Sequence, residues 1–186
     1  MSNRPDLADL RVLGASTTEV WAGANEPASR GLVAWAGRAI GDDRALAVRA
    51  AFAACKLVTD TYPAAPADAA PKSYIDTMLR MVQAWLDDPT RERQEAAMKT
   101  LDITRQQHAW HGREDLPYAW ILEAVDHACL TVWSGSDLSI YITPAPPRTC
   151  AARAAGCVFR ALVASGTPEA DAAAAVVAAV ADETSN

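Results

Sequence analysis

Hydrophobic positions recur along this chain at three- and four-residue intervals, and that period predicts helices almost throughout. The clearest stripe is Ile75, Met78, Leu79, Val82, Trp85 and Leu86. A second runs through Ile121, Leu122, Val125, Cys129, Val132 and Trp133, with Gly135 just past its end as a C-terminal stop. Leu32, Trp35 and Ala39 mark a helix over 27–40. Leu46, Ala50, Ala53 and Leu57 mark a long one that Asp42-Asp43 opens and Tyr62 ends. Ala154, Val158 and Leu162 place another from Pro147 to Ser165. Thr167-Pro168-Glu169 then supplies an N-cap, a first-turn proline and a first-turn acid for a last helix reaching Ala181.

Weaker patterns fill the rest. Asp6–Leu13 reads as a short amphipathic helix, and Ser16-Thr17-Thr18-Glu19 as a capping box opening another. Thr90–His108 is a charged helix, entered through Asp87-Asp88-Pro89. Asp115-Leu116-Pro117 opens the helix that carries the second stripe. Two segments resist the helical reading: the proline-rich connector Pro63–Pro71, and SDLSIYITPAPPR at 136–148, an extended loop. The expectation is a single all-α domain over 1–186, with about seven helices packed as helical hairpins in a HEAT-like or bundle arrangement. Trp35, Trp85 and Trp133 each precede a polar turn. Their separations of 50 and 48 residues admit a repeat of stacked hairpins.

Composition strengthens the helical reading. About a fifth of the chain is alanine, the best helix former, so the six tryptophans must supply much of the core volume. The formal net charge of −6 and pI near 5.0 argue against a nucleic-acid binder and favour a basic protein partner. No stretch approaches the roughly 20 apolar residues that span a bilayer. MSNRPDLADL lacks the apolar stretch of a secretory signal. Cys55, Cys129, Cys150 and Cys157 fit no disulfide framework, which suits buried, reduced thiols in a cytoplasm.

The densest chemistry lies in QQHAWHGREDLPYAWILEAVDHACLTVW, residues 106–133. His108 and His111 are three apart, and Glu123 and His127 four apart, so each pair can share a helix face and the four could form a metal site. The turn between them mismatches their axial levels, and no HExxH spacing is present; helix punctuation is the better account. Asp42-Asp43 and Asp87-Asp88 could hold Mg²⁺, but each sits where a helix begins and reads as a cap. Cys150 lies near a helix N-terminus without a visible triad. No cofactor and no catalytic residue is expected.

Leu57–Arg105 resembles part of the alanine-rich, all-helical immunity proteins of bacterial polymorphic toxin systems. The likeness rests on Tyr62-Pro63, on Asp68 and Pro71, on an Ile-led helix ending in Ala84-Trp85-Leu86, and on the Arg91–Lys99 helix after an acidic turn. AWILEAVDHA is similar to a second helix of such proteins, and about half of the chain is covered. The resemblance implies a cytoplasmic inhibitor of a cognate toxin. The surface residues expected to meet a partner are Asp87, Asp88, Arg113, Asp137, Tyr141 and Arg148. The alternatives are a metal-dependent enzyme built on His108, His111, Glu123 and His127, and an adaptor or oligomeric scaffold with Val176, Val177 and Val180 as its contact face.

Overall fold

The computed structural model describes residues 4–17, 25–59, 69–107, 118–139 and 145–185. Among these residues every regular element is helical, and none of the helices is long and apolar enough to cross a membrane. Eight α-helices follow in order: α1 Leu7–Ser16, α2 Pro27–Ile40, α3 Arg44–Thr59, α4 Ala69–Asp87, α5 Arg91–Gln107, α6 Ala119–Trp133, α7 Pro147–Ala164 and α8 Glu169–Thr184.

Local chemistry sets the boundaries. Asp6 caps α1 in a capping box with Asp9, each side chain accepting from the other's backbone N–H at 2.9 and 3.2 Å. Ser16 is the last residue of α1 and not the start of a new helix; residues 18–24 lie outside the described residues. Asp43 accepts the Leu46 N–H at 3.1 Å and caps α3 as expected. At α5 the cap is Thr90, not the aspartate pair: its hydroxyl accepts the Arg93 N–H at 3.4 Å. Helix α4 begins inside the expected connector. Pro71 stands in its first turn, where the N–H that proline lacks has no helical partner anyway. The expected extended loop is also partly helical, since Asp137–Ser139 form a 3-10 turn.

The contacts reach beyond helices that are neighbours in the chain. A stack confines contacts to neighbouring repeats. Here α2 lies against α7, and α3 packs on α6, α7 and α8 while touching α2 little. Trp35 sits within α2 and is half-buried, whereas Trp85 and Trp133 close α4 and α6 in the core, so the three do not occupy equivalent places. Alanine explains the tight convergence: Ala47, Ala50, Ala51 and Ala54 of α3 and Ala151, Ala154 and Ala155 of α7 are all buried.

Helix α6 is enclosed by α3, α4, α5 and α7, and of its fifteen residues all but Glu123 are buried. The single inward stripe expected of it is therefore too narrow. Val176, Val177 and Val180 face the core as well, against α3, α2 and α7, and do not form an outward contact surface. Helices α1 and α2 cross backbone to backbone. A methyl on Gly14 would lie 1.7 Å from the Pro27 carbonyl oxygen, and one on Gly31 1.8 Å from that of Leu10.

Candidate functional site

Four turns from distant parts of the chain meet at one end of the bundle: 41–43, 88–90, 134–139 and the start of α7 at 146–148. The C-terminus of α6 is their hub. Its last carbonyls lack helical partners. Arg44 Nη1, from the start of α3, donates to the Val132 carbonyl at 2.8 Å and to that of Thr131 at 3.4 Å. Gln94 Nε2, from the first turn of α5, donates to the same Val132 oxygen at 3.1 Å. Partial burial lowers the Arg44 pKa, with Cys150 acting the other way, yet a guanidinium stays charged under any ordinary condition. Gly135, with φ of +63°, turns the chain after α6 and lies against the start of α7; a methyl there would reach Pro147 Cδ at 3.4 Å.

Ion pairs tie the turns together across the surface. Arg91 holds Asp137, joining the start of α5 to the 3-10 turn, and also reaches Glu95 at 3.2 Å. That hydrogen bond, with Arg91 as donor, lowers the Asp137 pKa. Arg148 Nη1 contacts Asp42 at 2.7 Å, joining α7 to the α2–α3 turn. Asp87 accepts from Gln83 Nε2 at 2.7 Å, and Asp88 lies 3.9 Å from Arg93. Four expected partner-binding residues, Asp87, Asp88, Asp137 and Arg148, thus belong to one end. Each is engaged by a neighbour, and the Asp88, Asp137 and Arg148 side chains are 44–69% exposed. Arg113 and Tyr141 lie outside the described residues.

A groove of about 580 Å³ opens at this same end, between α2 and α7. Its apolar lining comes from Val33, Gly37 and Ala152, and its polar lining from Arg38, Arg148 and Thr149.

The expected metal quartet is only partly in view, because His108 and His111 lie outside the described residues. Glu123 and His127 share a face of α6, half-buried and buried respectively. Among the described residues no three His, Cys, Asp or Glu side chains converge closely enough to hold a metal ion. What the periodicity missed is Asp126. It is fully buried, and its carboxylate accepts a hydrogen bond from the Tyr74 hydroxyl of α4. The signal available was a charge in the middle of an otherwise apolar helix, which requires a partner.

Cys157 of α7 lies near this cluster. Burial pushes its thiol well up, Glu123, Cys55 and Asp126 add to the shift, and Arg160 opposes it. Arg160 stacks 3.7 Å from the ring centre of Trp120. The four cysteines are reduced and buried, Cys150 included, so the nucleophile reading finds no exposed thiol.

Comparison with protein-family profiles, with curated proteins and with solved structures finds no match.

Proposed function

We propose that this chain is a non-catalytic protein-binding module whose contact surface is the turn-bearing end of the bundle. One observation supports this above the others. Turns separated by up to 106 residues are cross-tied by Arg91–Asp137, Arg148–Asp42 and the Arg44 and Gln94 bonds to Val132. Such ties pre-order exposed side chains on rigid helix ends and reduce the entropy lost on docking. In keeping with its resemblance, the chain acts as an immunity-type inhibitor of a toxin in a bacterial cytoplasm, and its net charge of −6 draws a basic partner.

Capture of the partner from the native host tests the reading. Exchanging the charges of Arg91 and Asp137 (Arg91→Asp with Asp137→Arg) keeps a pair but alters the surface, and partner recovery should fall at least tenfold. Exchanging Arg11 and Glu169, a pair on α1 and α8, should leave recovery unchanged. Equal recovery by both variants would refute the assignment. Stoichiometric metal surviving dialysis, and lost on Glu123→Gln, would instead support the metalloenzyme alternative.

A further inference from the structure

The geometry points to the groove between α2 and α7 as the seat of a peptide segment of the partner that carries an acidic side chain beside an aliphatic one. The inference rests on the reading that this end is the contact surface. It concerns local recognition, whereas the net charge of the whole chain acts at long range.

Three features carry it. The first is complementarity. In a chain of net charge −6, the described residues lining this groove include two arginines and no acid. The Arg38 side chain is exposed and makes no hydrogen bond or ion pair among the described residues. Arg148 spends one N–H on Asp42, a carboxylate that is 80% exposed, and a guanidinium has five to give. An incoming carboxylate can therefore be met without breaking a buried contact. The Thr149 hydroxyl, on the same wall, can donate to it as well.

The second feature is the apolar part of the lining. Val33 and Gly37 are one turn apart on α2 and face Ala152 of α7, leaving space for an aliphatic side chain beside the two guanidinium groups.

The third is Gly37 itself. Glycine inside a helix is unfavourable, and at Gly14 and Gly31 close backbone crossing accounts for it. At Gly37 no such crossing exists among the described residues. There a methyl would meet only Ala152 Cβ, at an ordinary 3.8 Å. The fold does not require the missing side chain, and its absence keeps the groove open.

The test uses the full chain, labelled with ¹⁵N, and a blocked octapeptide alternating glutamate with leucine and alanine. Saturable shifts are expected at the backbone N–H groups of Gly37, Arg38, Gly41 and Thr149. Gly37→Leu, which fills the groove, should abolish them, and Arg38→Gln should weaken binding by about fivefold. Because Gly37→Leu can perturb α2, Arg38→Glu serves as a second variant on an exposed side chain and should abolish the shifts with the fold intact. No shifts at millimolar peptide would overturn the inference. So would equal shifts with the glutamine version of the peptide, or the same shifts with inorganic phosphate alone. If partner capture is lost on the Arg91 and Asp137 exchange but retained by Gly37→Leu and Arg38→Glu, the contact end stands and the groove assignment falls. If capture survives the exchange, the contact-end reading itself has failed.

Discussion

Replacing Gly31 by alanine should destabilise the protein even though alanine is the better helix former. The methyl would stand 1.8 Å from the Leu10 carbonyl oxygen, 2.6 Å from its carbon and 3.0 Å from the Gly14 nitrogen. These are backbone atoms of a helix, so no rotamer change relieves the clash, and α1 must move away by about 1.5 Å to restore normal contact. Leu10, fully buried, is the main apolar anchor of α1, and unburying such a side chain costs roughly 1.5–3 kcal/mol. Lost packing at the crossing adds to that, while the helix propensity gained from Gly to Ala returns about 1 kcal/mol. The net loss is about 2 kcal/mol, or a fall in Tm of roughly 4–8 °C for a chain of this size. Gly37→Ala, two turns along the same helix, keeps the propensity gain with a 3.8 Å contact in place of a clash, and should stabilise by up to about 1 kcal/mol. Urea unfolding followed by tryptophan fluorescence measures both. Changes of the same sign in the two variants would refute the reasoning, because only the crossing distinguishes the sites.

Other outcomes follow from the same contacts. Tyr74→Phe removes a donor to the fully buried Asp126 carboxylate and should cost about 1–3 kcal/mol in urea unfolding; a neutral result would mean that this hydrogen bond does not hold the carboxylate. Asp137 should titrate below the usual aspartate range by NMR, because Arg91 donates to it, and Arg91→Gln should return it upward. A depressed folded pKa stabilises above the unfolded value and the benefit disappears as pH falls through the folded one. For so exposed a pair the effect should be small and should fade in 1 M salt. Burial pushes the Cys55 thiol up to about 12 from an ordinary 9.0. The unfolded chain therefore releases that proton first as pH rises, so stability should fall between about pH 9 and 12, and Cys55→Ala should flatten that slope in thermal melts. Fast labelling of Cys55 in the folded protein at pH 8 would contradict this account.

The helical character was legible because it rests on local signals. Spacing of apolar residues, Asp43 before α3, and prolines at the starts of α2 and α7 all act within a few residues. The start of α4 is not legible in this way, because a proline in a first turn resembles one in a connector. What was illegible is long-range. A one-face stripe cannot announce that α6 is enclosed on every side, since that depends on α3 and α7 arriving from opposite directions in the chain. Asp87, Asp88, Asp137 and Arg148 were visible as polar punctuation. Their gathering at one end depends on pairs such as Arg91 with Asp137 and Arg148 with Asp42, which no local spacing encodes. The Gly14–Gly31 crossing was equally silent, for glycine in a helix carries the same letter whether it admits a neighbour or only leaves a gap.

The enclosure of α6 also bears on dissection of the gene. Splitting the chain between α5 and α6 would leave the C-terminal piece with a helix that has no water-facing side, deprived of α3, α4 and α5. Expressed alone, that piece should precipitate; produced together, the two pieces should rescue each other, each serving as the other's solubility factor.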